Sequence, residues 1–227
     1  MSIRPVEKID NLVPVKHVMI SVSDKSYLSI LVQGLLNNCP DVIIYSSGGT
    51  FKEIKEIIGE KQANLHLMEV SEYTRLPETE GGLVKTLHHK LFLGYLTETY
   101  CEAHQKDLER ENAVPIDLVV INLYPFKEVV KKDGATIEDA RGNIDVGGPS
   151  ALRAAAKNWH RVMTLTNPND YFDFLQMLQN GCTCLYSRYQ AFKKTFLALS
   201  SYDFAIYDYF EDIKPEIIKE TYEINNQ

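Results

Sequence analysis

The 227-residue chain lacks the features of a membrane protein, a secreted protein or a general nucleic-acid binder. No apolar run approaches the roughly 18 residues that a membrane-spanning helix needs. Charged residues interrupt the N-terminal segment where a signal peptide would have an apolar core. The net charge of −7 repels polyanions, so a phosphate would have to be bound locally. We therefore expect a cytoplasmic protein with no membrane partner and no nucleic-acid partner.

Cysteine is also scarce. The four cysteines are too few and too scattered for a disulfide framework in a chain of this length. Cys182 and Cys184 are spaced like one half of a metal site, but the sequence offers neither a second pair nor a histidine cluster at ligand spacing. We therefore expect no bound metal.

What the chain does contain is an alternation of short β-branched runs and helical patterns. Apolar runs predict strands at 17–23, 41–45, 64–70, 117–123 and 162–166, with helical periodicity between them. Strands spaced by helices form βαβ units, which place parallel strands side by side and helices on both faces. The expected fold class is α/β, with three layers built on a mainly parallel twisted sheet and a C-terminal helical appendage.

One domain is the expected organisation, because no repeat, low-complexity tract or clear linker divides the chain. Hydrophobic residues make up 44% of the sequence, which is enough for one sizeable core. We divide residues 1–227 into an N-terminal extension (1–16), an α/β core (17–185) and the helical appendage (186–227).

Polar loops follow the predicted strands. Ligands of parallel α/β sheets bind at the carboxyl ends of the strands, so these loops are where chemistry is expected. The loops read SVSDK (21–25), SSGGT (46–50), EGGLVKT (80–86), NLYPF (122–126) and, after a helical segment, NIDVGG (143–148).

The SSGGT loop has two interpretations. The run Ser47-Gly48-Gly49-Thr50 combines hydroxyls, a flexible backbone and a helix N-terminus, which suits a phosphate group. Alternatively, the loop is a tight strand-to-helix turn with Thr50 as the N-cap. The SVSDK loop adds Ser21, Ser23 and Lys25 after a neighbouring strand, and this repetition favours phosphate binding.

Two common phosphate motifs are excluded. A Walker loop needs a glycine directly before its lysine, whereas Val84 precedes Lys85 here. No G-x-G-x-x-G follows the first strand, which excludes a Rossmann dinucleotide site. The expected ligand is therefore a mononucleotide or a small phosphorylated metabolite.

Four further residues have ordinary structural interpretations when each is taken alone. Lys85 suits a solvated loop lysine, Tyr124 a half-buried residue pinned by Pro125, and Asp145 a cap of the next helix. Lys157 ends an alanine-rich helix, where lysine is often solvated. If Lys157 instead packed close to Asp145 in a dry pocket, the two side chains could exchange a proton.

The order of these segments resembles the inosine monophosphate (IMP) cyclohydrolase domain, the N-terminal half of the bifunctional purine biosynthesis protein. The matching segments are SVSDK (21–25), SSGGT (46–50), VSEYTRLPE (70–78), GGLVKTLHH (81–89), INLYPF (121–126), IDVGGPSALRAAAKN (144–158), NPNDY (167–171) and the helical segment 188–210. The resemblance covers nearly all of residues 17–210, and the match at 144–158 is specific. It implies a methylglyoxal-synthase-like form of the three-layer α/β fold.

The resemblance implies a ring-closing enzyme of purine biosynthesis. In the formylated aminoimidazole carboxamide ribonucleotide, the carboxamide nitrogen attacks the formyl carbon and water is lost, which gives IMP. The family uses no cofactor and no metal in this step. Because the reaction is intramolecular, holding the two groups in a near-attack pose supplies much of the acceleration.

The resemblance also implies roles for individual residues. The implied substrate-binding residues are Ser23, Asp24, Lys25, Ser47, Gly48, Gly49, Thr50, Thr86, Asn122 and Ile144, with the 47–50 turn at the phosphate. The implied catalytic residues are Lys85, Tyr124, Asp145 and Lys157. Lys157, tuned by Asp145, is expected to transfer the proton. Tyr124 and Lys85 are expected to stabilise charge on the formyl oxygen.

The chain departs from the family pattern at two positions and in its extent. The family reads Gly-Gly-Arg-Val-Lys-Thr-Leu-His-Pro, whereas this chain has Leu83 for the arginine and His89 for the proline. Loss of a guanidinium predicts weaker or altered substrate binding unless Lys25 or another cation compensates. The family's formyltransferase domain is not in this sequence, so a stand-alone enzyme and an excised piece both stay open. A homodimer and a separate formyltransferase that supplies the substrate also stay open.

Two other functions share this architecture. A lyase acting on a triose phosphate, as in methylglyoxal synthase, would need a carboxylate–histidine group, and His88 with His89 is the only candidate pair. A nucleotide-binding or regulatory module without catalysis is the other alternative, made conceivable by Leu83. Such a module would bind IMP yet leave the formylated precursor unchanged.

Overall fold

The computed structural model describes residues 5–77, 79, 85–178 and 180–225, and a parallel sheet lies at its centre. The strands are β1 (Leu12–Pro14), β2 (His17–Val22), β3 (Ile43–Ser46), β4 (Leu67–Glu69), β5 (Leu118–Asn122), β6 (Met163–Leu165) and β7 (Cys182–Cys184). Five of them form the parallel sheet in the order β4-β3-β2-β5-β6. Each of the five overlaps a predicted run, so the expected α/β sheet is confirmed.

Helices connect these strands and lie on both faces of the sheet. They are α1 (Leu28–Asn38), α2 (Gly48–His66), α3 (Val70–Thr74), α4 (His89–Leu96), α5 (Glu102–Arg110), α6 (Phe126–Val130), α7 (Ile137–Gly142), α8 (Gly147–Lys157), α9 (Tyr171–Met177), α10 (Leu185–Glu211) and α11 (Pro215–Thr221). Within the described ranges, no helix has the length and apolar character needed to cross a membrane.

Alternation along the central strands divides the core between the two faces of the sheet. Val18 and Ile20 of β2 belong to the apolar cluster that includes residues of α1 and α9. Met19, between them in sequence, belongs to the cluster on the opposite face with residues of α4 and α8. All of β5 is buried, which explains why this strand reads as a continuous apolar run.

An antiparallel ribbon stands beside the main sheet. β1 pairs with β7, and Val13 lies opposite Thr183. The sequence did not predict this pairing, because both strands have only three residues and lie far apart in the chain. Cys182 and Cys184 are the two ends of β7 and are free thiols.

The long helix α10 packs against β6 and α8. The Thr195 and Thr164 hydroxyls share a buried hydrogen bond of 2.7 Å, and Leu199 is fully buried in the core. One turn further on, Tyr202 joins Phe126 in a third apolar cluster. α10 therefore extends from the edge of the sheet to the helices α6 and α7.

Candidate active site

A cavity of about 780 Å³ opens at the carboxyl ends of three adjacent strands, β3, β2 and β5. Its walls are the loops that follow these strands, residues 85–87 and the segment before α8. The predicted site residues that line it are Ser23, Lys25, Ser47, Gly48, Gly49, Thr50, Lys85, Thr86, Asn122, Tyr124, Ile144 and Asp145. Asp24 and Lys157 are not among the described lining residues.

The loop after β2 is held in place by the Asn122 side chain at the end of β5. Asn122 Oδ1 accepts hydrogen bonds from the Ser23 N–H at 2.7 Å, the Ser23 hydroxyl at 2.8 Å and the Asp24 N–H at 2.9 Å. Asn122 Nδ2 donates to the Asp24 carbonyl at 2.8 Å. The amide of Asn122 is thus engaged in shaping the loop, and its predicted contact with a nucleotide stays a prediction.

The Asp24 side chain is exposed and caps its own loop. Its Oδ1 accepts the Ser26 N–H at 2.9 Å, and hydrogen bonds from Ser26 lower the pKa of this exposed carboxyl. The side chain therefore stabilises the turn that precedes α1. The structure gives no support for a direct contact between the Asp24 carboxylate and a substrate phosphate, which it would repel.

The glycine turn at the start of α2 has the form of an anion site. Gly48 has φ +53°, in the left-handed region that favours glycine. Ser47 is the N-cap and makes no side-chain cap bond in the described structure. The first N–H groups of the helix thus lack intrahelical partners, and the helix dipole favours an anion there.

Two lysines lie over this turn. A Cβ atom added to Gly48 would lie 3.6 Å from the Lys85 Nζ, and one added to Gly49 would lie 4.0 Å from the Lys25 Nζ.

Thr50 was predicted as a phosphate ligand or as the N-cap, but its buried hydroxyl donates to the Val22 carbonyl and accepts the Val22 N–H, both at 3.1 Å. Thr50 therefore joins the first turn of α2 to the last residue of β2, and the N-cap interpretation is wrong because Ser47 holds that position.

Asp145 contributes a half-buried carboxylate to the lining of the same cavity. Its Oδ1 accepts the Gly148 N–H at 2.9 Å, at the start of α8. Burial raises the pKa of Asp145, and hydrogen bonds from the Gly148 and Gly147 N–H groups oppose this effect without cancelling it. A carboxylate of this kind is a stronger base than an exposed one and is suited to accept a proton.

Lys157 lies far from Asp145. It is exposed at the C-terminal end of α8, whereas Asp145 precedes the N-terminal end of the same helix. The eleven residues of α8 separate the two ends by about 15 Å at 1.5 Å per residue. The expectation that Lys157 packs close to Asp145 in a dry pocket is therefore wrong within one chain.

The two departures from the family pattern fall in different places. Leu83, with the Gly81-Gly82 pair, lies outside the described residues. His89 is the first residue of α4, a position where proline is favoured because its missing N–H has no intrahelical partner. His88 is the N-cap, and its Nδ1 accepts the Lys90 N–H at 3.1 Å. A triose-phosphate lyase would require a histidine in the cavity, but neither His88 nor His89 is among its described lining residues.

A second cavity of about 660 Å³ lies elsewhere, between residues 5–10 and the segment 98–103. Beside it, donor atoms of Glu98, Cys101 and His104 lie within 4.8 Å of one another. His104 Nδ1 already accepts the Glu98 N–H at 3.3 Å, and Cys101 is the N-cap of α5, where the helix dipole opposes a cation. We assign no metal to this cluster.

Several lining residues were not selected from the sequence. Asn143, Val146 and Gly147 border the cavity, and all three lie in the segment 143–148 that the sequence had marked as a candidate loop. Their position in that segment was the sequence feature that could have identified them as lining residues. Tyr202 of α10 also reaches the site, through the backbone of Asp145. No local pattern connects it to the loops.

Two family models match the chain. The MGS-like domain matches residues 31–150, and the AICARFT/IMPCHase bienzyme matches residues 155–227. The bifunctional purine biosynthesis protein PurH of Synechocystis sp. is 43% identical over 196 residues, which cover 86% of this chain and 37% of that protein. PurH of Lactobacillus acidophilus is 39% identical over 219 residues, which cover 93% of this chain and 41% of that protein. The chain thus spans about two fifths of the length of these relatives.

A solved structure shows the same fold. The protein described as the crystal structure of ForH superposes with a TM-score of 0.68 and is 27% identical in sequence. The match covers 86% of this chain and 98% of that one. The shared architecture therefore extends over nearly all of ForH.

Proposed function

Because the chain belongs to the MGS-like domain family, we propose that it acts as an IMP cyclohydrolase. The reaction closes the six-membered ring of formylated aminoimidazole carboxamide ribonucleotide and releases water. The similarity of residues 155–227 to the AICARFT/IMPCHase bienzyme, and of most of the chain to PurH proteins, supports this choice among the functions that the fold can host.

One observation carries the proposal. A single cavity is lined both by an anion-binding turn with two lysines and by a half-buried carboxylate. A phosphorylated substrate with a reacting amide needs both features, separated by the length of a ribose. Burial raises the pKa of this carboxylate, which suits it to accept a proton from the reacting amide.

The glycine turn and its lysines bind the 5′-phosphate in the proposed complex. N–H groups at the start of α2 donate to the phosphate oxygens, and the Lys25 and Lys85 ammonium groups supply positive charge. Local charge is needed here because the net charge of the chain is −7. The turn anchors the substrate and takes no part in the chemistry.

Asp145 acts as the base in the proposed reaction. It accepts the proton of the carboxamide nitrogen as that nitrogen forms a bond to the formyl carbon. The Tyr124 hydroxyl and the Lys85 ammonium group stabilise the negative charge that develops on the formyl oxygen. The formyl oxygen receives the proton that Asp145 accepted, and the C–O bond then breaks. The second proton of the released water is the one that the formamido nitrogen loses as it forms the C=N bond of the ring. Within a single chain, Lys157 lies too far from Asp145 to belong to this set of reacting residues.

The direct test is a cyclisation assay with the purified chain and the formylated ribonucleotide. We expect IMP to form, seen as a change in ultraviolet absorbance and confirmed by mass spectrometry. A rate equal to that of the uncatalysed solution would contradict the proposed activity. Calorimetric binding of IMP without turnover would then favour a nucleotide-binding module, and turnover of a triose phosphate would favour a lyase.

Three statements stay predictions alongside this function. They are the cytoplasmic location, assembly as a homodimer, and a separate formyltransferase that supplies the substrate. Gel filtration with light scattering tests the second of them directly.

Gly148→Ala should lower kcat by about 10–10²-fold, the order of loss expected when a reacting group is displaced by about 1 Å. A Cβ atom at Gly148 would lie 2.5 Å from the Asp145 Oδ2, so the carboxylate must move. Gly142→Ala is the matched control, because a Cβ atom there would meet no described atom within 4 Å although Gly142 also borders the cavity. Steady-state kinetics of both variants check the prediction, and equal kcat values would contradict it.

A further inference from the structure

The backbone of Asp145 is held by a side chain from the C-terminal part of the chain. The Asp145 N–H donates a hydrogen bond of 2.7 Å to the hydroxyl oxygen of Tyr202 on α10. Asp145 lies between α7 and α8, in a segment where its neighbour Val146 is 60% exposed. The contact therefore ties an exposed loop to the packed helix layer.

Tyr202 has little freedom to move. Its side chain is buried with Phe126, Ala140 and Ala205. The rings of Tyr202 and Phe126 meet edge to face, with centroids 6.5 Å apart. The position of the hydroxyl is thus set by the packing of α10 against α6 and α7.

The hydroxyl completes a hold on Asp145 from two directions. Gly148 binds the carboxylate, and Tyr202 binds the main-chain N–H of the same residue. With the second bond removed, a part-buried N–H loses its partner and the loop gains freedom to turn the carboxylate away. Burial raises the pKa of Tyr202, so its hydroxyl stays protonated and the contact persists through neutral pH.

We propose that Tyr202 is a positioning residue that holds the Asp145 carboxylate in its reactive orientation, an inference that rests on the cyclohydrolase function proposed above. Tyr202 lies behind the loop and acts through Asp145 without touching the substrate. α10 would then be part of the catalytic apparatus through this one hydroxyl as well as part of the core.

The test compares Tyr202→Phe with Tyr209→Phe. Both changes delete one hydroxyl from α10, and both rings pack edge to face on Phe126. For Tyr202→Phe we expect kcat to fall about 10–10²-fold while KM changes by less than about threefold, because orientation is lost and the phosphate anchor is not. Tyr209→Phe should match the native chain in both constants.

Amide hydrogen exchange supplies a readout that does not depend on turnover. The Asp145 amide should exchange faster in Tyr202→Phe than in the native chain and in Tyr209→Phe. An unchanged kcat or an unchanged exchange rate at Asp145 would overturn the positioning role. The native chain could fail to form IMP while the Asp145 amide still exchanges faster in Tyr202→Phe. In that case the proposed cyclohydrolase function is wrong, but the hydrogen bond from Asp145 to Tyr202 still holds the loop.

Discussion

Asp145→Asn is expected to lower the kcat for ring closure by about 10²–10⁴-fold, the usual contribution of a positioned acid or base. The asparagine keeps the size of the side chain and an oxygen that can accept the Gly148 N–H. The substitution therefore removes the basic group and leaves the loop in place. Stopped-flow or steady-state absorbance of IMP formation measures the change.

A matched control separates this effect from a general loss of negative charge. Asp133→Asn removes one carboxylate from an exposed turn between α6 and α7 and should leave kcat and KM unchanged. The binding of IMP, measured by calorimetry, should be similar in both variants because the phosphate turn is intact. If kcat of Asp145→Asn stayed within about threefold of the native value, Asp145 would not be the base.

The pH dependence of the same carboxylate has a definite sign. Burial raises the pKa of Asp145, and only the ionised form can accept the proton. kcat should therefore fall as the pH drops through this raised pKa, at a higher pH than for an exposed aspartate. Because the unfolded chain releases the proton more readily, an ionised Asp145 lowers the stability of the fold above the unfolded pKa. Asp145→Asn should thus unfold at the same temperature as the native chain at neutral pH, or at a higher one.

Much of the site could be predicted because parallel strands present their carboxyl ends at one edge of the sheet. Once 17–23, 41–45 and 117–123 were identified as strands, the loops that follow them had to meet. The order of the segments then distinguished Asp145 from an ordinary helix cap. The placement of the loops needed only local patterns and parallel strand pairing, whereas the role of Asp145 came from the resemblance of the ordered segments to the cyclohydrolase family.

The rest depended on contacts that no local pattern encodes. Tyr202 reaches Asp145 from 57 residues further along the chain. β1 and β7 pair although 170 residues separate Val13 from its partner Thr183. Lys157 was misjudged for a related reason: the sequence shows that it ends a helix, but only the packing of α8 shows which end faces the cavity. The hydroxyl of Thr50 was assigned to a ligand or to a helix cap, whereas in the fold it joins the first turn of α2 to the end of β2.

A buried ion pair fixes the opposite end of the sheet and should dominate its stability. The Asp117 and Arg161 side chains are 9% and 6% exposed, and Arg161 Nη1 lies 3.0 Å from Asp117 Oδ1. The other oxygen, Oδ2, accepts the N–H groups of Lys16 and His17, both at 2.9 Å. The Asp117 carboxylate, directly before β5, therefore holds two other segments. One is the connection between α8 and β6, which contains Arg161, and the other is the start of β2.

Asp117→Ala is expected to lower the free energy of unfolding by about 3–5 kcal/mol, because it leaves the Arg161 charge buried without its partner. Two backbone N–H groups lose their acceptor in the same step. Urea unfolding followed by circular dichroism measures the loss. Asp107→Ala, which breaks an exposed pair with Arg110, should leave the midpoint unchanged.

The same variant also separates stability from catalysis. Asp117 precedes the first residue of β5, whereas the cavity lies beyond the last residue of that strand. Asp117→Ala should therefore retain the native KM when assayed well below its unfolding temperature. A loss of less than about 1 kcal/mol would mean that the interior around Arg161 admits water, since a dry guanidinium without its carboxylate cannot be accommodated at so small a cost.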